Sequence, residues 1–278
     1  LNGLRPVAEI QFVDFIYPAF NQIVSEAARH CYRTNGEYPV PMVIRAPFGG
    51  GVHGGLYHSQ SVEAFFLHVP GLKVVIPSNP YDAKGLLKSA IRDNDPVIVF
   101  NNRQLMGIRF DVDVPEEAYE VEIGKSNIAK EGTDVTLVGI GYTTKVCLDA
   151  AAELEAQGHS AEVLDLLSLS PMDDEAILES VQKTRKIVIV DEDYPRCSIA
   201  SDISALVAEQ AFDYLDAPPV VVGSRNWITP CAEVEEDFFP QANWMLDAIH
   251  ERIVPLPGHQ VSTNPTTGEL LRRNRNGV

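Results

Sequence analysis

Leu72-Lys73-Val74-Val75-Ile76, then Ser78-Asn79-Pro80-Tyr81 opening a helical pattern that runs to Ile91, then Pro96-Val97-Ile98-Val99-Phe100, is the stretch whose reading decides the fold class. Each apolar run is short and rich in β-branched residues, which suits a strand buried on both faces. Ser78 or Asn79 can cap the helix between them, Pro80 suits its first turn, and apolar residues recur at helical spacing over residues 81–91. A strand, a crossover helix and a second strand imply parallel pairing, with helices covering the sheet.

Outward from this unit the same alternation continues. Towards the N-terminus, Pro41-Met42-Val43-Ile44-Arg45 reads as another buried strand. A helix is expected over residues 19–32, with Ile23, Ala27 and Cys31 on one face. Towards the C-terminus, a polar, Pro-containing stretch over residues 110–132 reads as a connector with a short strand or two. A second series follows. Strands are expected over residues 134–140, 160–166, 186–190 and 219–222, and helices over residues 143–157 and 198–214. Ser170-Pro171-Met172-Asp173-Asp174 has the cap, first-turn proline and acidic first turn of a further helix start. The fold class is therefore α/β, with two domains, each a mainly parallel sheet with helices on both faces. The tail from Pro255 changes character: prolines and glycines break regular structure, and Arg272, Arg273 and Arg275 make the end basic.

Composition narrows the function classes. With 278 residues and 45% hydrophobic side chains, the chain can bury a proper core. A formal net charge of −17 repels nucleic acid and anionic membranes, so neither is an expected partner. No apolar run approaches the roughly 18 residues that a membrane span needs. Cys31, Cys147, Cys197 and Cys231 are widely separated and form no paired metal spacing, which points to reduced thiols in a cytoplasm or organelle matrix.

Chemistry concentrates in Arg45-Ala46-Pro47-Phe48-Gly49-Gly50-Gly51-Val52-His53-Gly54-Gly55-Leu56-Tyr57-His58-Ser59-Gln60-Ser61. Glycines after a buried strand permit positive φ and close backbone approach to a ligand. The loop lacks the Lys-Ser/Thr ending of a nucleotide P-loop and the spacing of a dinucleotide fingerprint, and a flexible surface loop is the alternative. His58 precedes a short helix expected over residues 62–68, capped by Ser61, and an imidazole placed there can shuttle protons near neutral pH. The alternative is a loop histidine bonded to backbone.

A resemblance rests on several segments in order: Arg5-Pro6-Val7-Ala8-Glu9-Ile10-Gln11-Phe12-Val13-Asp14-Phe15, the glycine loop ending in His58-Ser59-Gln60-Ser61, Pro70-Gly71-Leu72-Lys73, Pro80-Tyr81-Asp82-Ala83-Lys84-Gly85 and Ala90-Ile91-Arg92-Asp93-Asn94-Asp95-Pro96. With these segments the chain resembles the beta subunit of the thiamine-diphosphate-dependent decarboxylase component of 2-oxo acid dehydrogenase complexes, of pyruvate, branched-chain 2-oxo acid or acetoin type. The resemblance covers residues 1 to about 220. It implies a pyrimidine-binding domain and a transketolase C-terminal-type domain. Thiamine diphosphate would be shared with an alpha subunit that holds Mg2+, in an assembly of two alpha and two beta chains. A lipoyl acyltransferase core would be the further partner. By the same resemblance, Phe15 packs on the pyrimidine ring, Tyr32 lies near the cofactor, and His58 faces the substrate. Backbone oxygens around Met42, Ala90, Asp93 and Asp95 hold a structural monovalent cation, expected to be potassium. The implied division is residues 1–115, the C-terminal part of the pyrimidine-binding domain; 116–132, a connector; 133–254, the transketolase C-terminal-type domain; and 255–278, an irregular basic tail.

Departures from the family pattern are local. Its catalytic glutamate is expected upstream of Leu4-Arg5-Pro6, so an N-terminal part is expected to be missing. Leu105-Met106-Gly107-Ile108-Arg109 replaces a Leu-Tyr-Arg segment, and Ser224-Arg225-Asn226-Trp227-Ile228-Thr229-Pro230 replaces a proline-rich turn. Two rival readings are a transketolase-like enzyme half, which would need a basic cluster for a phosphosugar, and a non-catalytic scaffold derived from the same subunit. The expected location is cytoplasmic, or the mitochondrial matrix in a eukaryote.

Overall fold

The computed structural model describes residues 2–262. The basic end of the tail, Arg272, Arg273 and Arg275, lies outside the described residues. In chain order, β1 (Val7–Glu9) leads through a 3-10 turn (Val13–Phe15) into α1 (Tyr17–Asn21), a π-helical stretch (Gln22–Ala27) and α2 (Ala28–Arg33), which together form one helical rod. Then follow β2 (Val43–Phe48), α3 (Ala64–Leu67), β3 (Lys73–Val75), α4 (Pro80–Arg92) and β4 (Val97–Asn102). The later part comprises β5 (Asn127–Lys130), β6 (Val135–Gly139), α5 (Tyr142–Ala156), β7 (Ala161–Asp165), β8 (Ser168–Ser170), α6 (Asp174–Thr184), β9 (Ile187–Val190), α7 (Ile199–Gln210), β10 (Val220–Val222) and α8 (Ala242–Arg252).

Two five-stranded sheets result, ordered β1-β2-β4-β3-β8 and β10-β9-β6-β7-β5. Pairing is parallel except at β8 and β5, which lie antiparallel at one edge of each sheet. The expected two mainly parallel sheets are present. One strand crosses between the halves: β8 comes from the later series yet pairs with β3, so the first sheet is completed by a segment of the second.

Burial shows why these strands tolerate no polar face. Ile98 and Phe100 point into one core cluster while Val97 and Val99 point into another. In the second sheet Ile187 and Ile189 face α6 and α7, and Val188 and Val190 face the side covered by α5 and α8. The period of two puts apolar side chains on both faces, and helices cover both.

Several local expectations need correction. The π-helical stretch inserts an extra residue into the turn, so the buried positions on the first helical rod are Ile23 and Ala28 rather than Ile23 and Ala27. Ser61 caps nothing: α3 starts only at Ala64, and Ser61 is instead buried. Asn79, not Ser78, caps α4, its Oδ1 accepting the Asp82 N–H at 3.0 Å. Ser170 ends β8, and α6 is capped by Asp173. The helix expected over residues 198–214 ends at Gln210, and a 3-10 turn (Phe212–Tyr214) follows. Within the described part of the tail, Leu256 is buried, and His259 Nε2 and Asp247 Oδ1 are 2.6 Å apart, which ties residues 255–262 to α8.

Candidate functional site

The carboxyl ends of the strands converge where the two sheets meet, as ligand sites do in open α/β sheets. β2 ends at Phe48 and releases the glycine-rich loop; β4 ends at Asn102, followed by Arg103; the 3-10 turn after β1 carries Val13–Phe15. From the other sheet, β9 releases Asp191, Glu192 and Asp193. Links cross the junction: Ser78 donates to Asp165, Asn102 Nδ2 donates to Glu192, and the Gly141 turn packs on Ile76.

His58 sits at the end of a 3-10 turn (Gly55–Tyr57). Its ring meets Phe12 edge-on at 5.1 Å and Phe15 at 5.5 Å. The Arg103 guanidinium lies 4.2 Å above the Phe12 ring, and its Nη1 donates to the His58 carbonyl at 3.2 Å. Phe15 keeps 49% of its surface open. Two of the residues picked from the sequence, Phe15 and His58, are thus brought together as an aromatic shelf with an imidazole at its edge.

Asp14 stands beside this shelf, and further carboxyl groups are buried at the junction of the sheets. Burial raises the Asp14 carboxyl, offset in part by the N–H groups of Asp14 and Gln60 and by the positive fields of His58 and Arg103. Glu63 is pushed well above the usual range by burial, then by the charges of Asp191 and Asp193. Asp191 and Asp193 are themselves raised, chiefly by burial. Carboxyl groups this close and this dry hold protons between them, because two charges there would go unsolvated. Glu192 is pushed to about 8 by burial, with the Gly50 N–H pulling the other way. Ser59 Oγ and Ser61 Oγ are buried and find no hydrogen-bond partner among the described residues. The junction can therefore store protons and offer hydroxyl groups beside an aromatic surface.

Tyr32 lies elsewhere. It is 92% exposed at the end of α2 and borders a groove with Cys31, Gly71 and Asp95; among the described residues no ring contact joins it to Phe15 or His58. The residues expected to hold a cation gather at the C-terminal end of α4. Ala90 is buried there, and the Met42 carbonyl accepts the Val97 N–H at 3.0 Å. Protein cations already approach this point. Arg5 Nη1 donates to the carbonyls of Asp93 at 2.6 Å and Ile91 at 3.2 Å. Lys73 Nζ reaches Asp93 at 2.6 Å and Asp95 at 3.1 Å.

Sequence reading missed Phe12, Asp14, Arg103, the acidic run Asp191-Glu192-Asp193 and Glu235. The acidic run carried a signal: three carboxylates directly after the apolar strand Ile187-Val188-Ile189-Val190 stand at the carboxyl end of a buried strand. Glu235, beyond the segment over residues 224–230 that departs from the family pattern, carried none.

With this geometry in place, two domain families match the chain: the transketolase pyrimidine-binding domain over residues 1–108 and the transketolase C-terminal domain over residues 124–245. The 2-oxoisovalerate dehydrogenase subunit beta of Bacillus subtilis is 50% identical over 218 residues, covering 78% of this chain and 66% of its own length, just under two thirds. The acetoin:2,6-dichlorophenolindophenol oxidoreductase subunit beta of the same organism is 46% identical, covering 85% of this chain and 68% of that one. The pyruvate dehydrogenase E1 component subunit beta of Staphylococcus epidermidis is 42% identical, covering 86% and 74%. A solved structure described as a split gene transketolase, inactive beta4 tetramer, superimposes with a TM-score of 0.71 at 27% identity, covering 90% of this chain and 76% of that one. Its two sheets, its paired transketolase-type domains and its relatives place the chain in the family of thiamine-diphosphate-dependent 2-oxo acid dehydrogenase beta subunits.

Proposed function

We propose that this chain, with an alpha partner in an assembly of two alpha and two beta chains, carries out oxidative decarboxylation of a 2-oxo acid and passes the acyl group to lipoyl-lysine on an acyltransferase core. The observation that carries the reading is the half-exposed Phe15 beside His58 at the junction of the two sheets. The shelf fits the pyrimidine half of thiamine diphosphate, because an aromatic ring stacks on an open aromatic face. It does not fit the diphosphate half: Arg103, the cation nearest His58 here, is engaged over Phe12 and on the His58 carbonyl. The diphosphate and its Mg2+ therefore belong, in this proposal, to the alpha subunit. Among the described residues no free basic cluster stands at the shelf, which also disfavours the phosphosugar rival.

Bound thiamine diphosphate supplies the electron sink that makes loss of carbon dioxide feasible, and the protein positions and tunes it. In this chain Phe15 seats the ring. His58 holds a proton at an imidazole nitrogen and orients the substrate carboxylate. The neighbouring aromatic rings restrict water at that edge. Tyr32 is proposed to reach the cofactor only within the assembly, since its ring is open to solvent here. Potassium is proposed at the α4 end near Met42, Ala90, Asp93 and Asp95. Carbonyl oxygens have a second lone pair to give a hard cation, and the carboxylates of Asp93 and Asp95 offset its charge beside Arg5 and Lys73. The division at residues 116–132 and a cytoplasmic or matrix location belong to the same proposal; no helix among the described residues is long and apolar enough to cross a membrane.

Coexpression with the alpha subunit, followed by a decarboxylation screen against pyruvate and branched-chain 2-oxo acids, tests the reading. Turnover of at least one 2-oxo acid, dependent on thiamine diphosphate and absent from this chain alone, is expected. A stable complex that binds the cofactor yet turns over none of them would favour the scaffold reading.

A further inference from the structure

The glycine-rich loop that leads to His58 is held from outside. Left-handed backbone recurs at Gly49, Gly51 and His53, with φ of 87°, 73° and 59°. Such alternation turns successive N–H groups toward one point and makes a concavity for an anion. A carboxylate of this chain fills it. Glu235 Oε1 accepts the Gly51 N–H at 3.2 Å, and Oε2 accepts the His53 N–H at 3.1 Å and lies 2.8 Å from His53 Nδ1. The Glu235 side chain is only 4% exposed, although the His53 ring is largely open.

A second contact from the same segment pins the loop. Phe239 lies so close over Gly50 that a Cβ there would stand 2.0 Å from its ring. At the other end the loop presses on His58 itself: a Cβ on Gly54 would stand 2.7 Å from His58 Cβ and 2.8 Å from Ser59 Oγ. Gly54 and His58 thus pack too closely to admit a side chain between them, and a displacement of the loop bears on the residue that carries the imidazole.

We propose that Glu235 is a positioning residue: by occupying the anion concavity of the glycine-rich loop it fixes where His58 stands at the edge of the aromatic shelf. This rests on His58 being the active-site histidine. It also assigns the loop a role other than phosphate binding, since its anion place is taken. His53 completes the clasp without approaching the shelf. Loss of the carboxylate leaves two backbone N–H groups without their partner and frees the loop, and misplacement of a catalytic group by an ångström can cost about a hundredfold in rate.

The test compares Glu235→Ala, Glu235→Gln and His53→Ala in the assembled alpha–beta complex, by amide hydrogen exchange over residues 49–59 without cofactor and by steady-state kinetics with it. Glu235→Ala is expected to raise exchange in that loop about tenfold or more with the sheet cores unchanged, and to lower kcat about ten- to hundredfold with KM for the 2-oxo acid little moved. Glu235→Gln keeps one acceptor oxygen and is expected to recover part of both effects; it also serves if the alanine variant fails to assemble. Unchanged loop exchange in both Glu235 variants overturns the clasp. Raised exchange with normal kcat overturns the positioning role. Failure of the underlying reading looks different: full turnover in His58→Ala removes the active-site histidine while leaving the exchange result intact.

Discussion

His58 and His53 share one loop, and their surroundings separate their roles. His58 turns its ring to Phe12 and Phe15, whereas His53 turns to a carboxylate of the later domain. General acid–base groups contribute about 10²–10⁴-fold in rate, so His58→Ala is expected to lower turnover of the assembled enzyme by that factor without loss of fold. His53→Ala removes the ring contact but leaves both backbone N–H groups on Glu235, and a fall of less than about tenfold is expected. Single-turnover decarboxylation of each variant checks the difference. Equal losses would mean that His58 acts through the loop rather than on the substrate.

At the scale of the elements, α4 joins two kinds of charge. Its N-terminus is closed by Asn79, and its C-terminus presents carbonyls that carry partial negative charge. Arg5 already covers two of these, so the helix end is stabilised with or without a metal ion. If potassium also binds there, melting of the complex should rise in potassium chloride relative to choline chloride at equal ionic strength, because a ligand that binds only the folded state stabilises it by mass action. Identical melting curves would count against a potassium ion at this helix end. The first helical rod shows a different lesson: its π-helical stretch shifts the buried face by one residue, which regular helical spacing does not reveal.

For the whole molecule, the junction of the sheets makes stability depend on pH. Asp165 is pushed to about 7 and Glu192 to about 8, in each case mainly by burial, against ordinary values of 3.8 and 4.5. Between the ordinary and the raised values the folded state binds more protons than the unfolded chain, so stability falls as pH rises through that window. The net charge of −17 adds repulsion of the same sign. At the acid end Asp134 and Asp216 work in the opposite direction. A Ser160 backbone hydrogen bond and an Arg185 hydrogen bond, respectively, lower their carboxyls, and this contribution is lost only as pH falls below the usual carboxylate range. The melting temperature is therefore expected to peak near pH 4–5 and to decline towards pH 8–9. Glu192→Gln should flatten the decline, measured by thermal melts across that range. An unchanged decline in the variant would show that the glutamate is ionised in the folded protein over this range.

Strand, helix and parallel pairing were legible in the amino-acid sequence, because side-chain period, caps and prolines act over a few residues. So were the glycine-rich loop and the place of His58 at its end. What the loop is for was not legible. Glycines report only that the backbone turns and is approached closely, and the approaching groups, Glu235 and Phe239, lie more than 180 residues away in sequence. The same holds for Glu63 against Asp191 and for β8 completing the first sheet. Such contacts exist only once the two sheets have docked. Desolvation of those carboxylates, and with it their hold on protons, is a property of the docked interface and not of any segment alone.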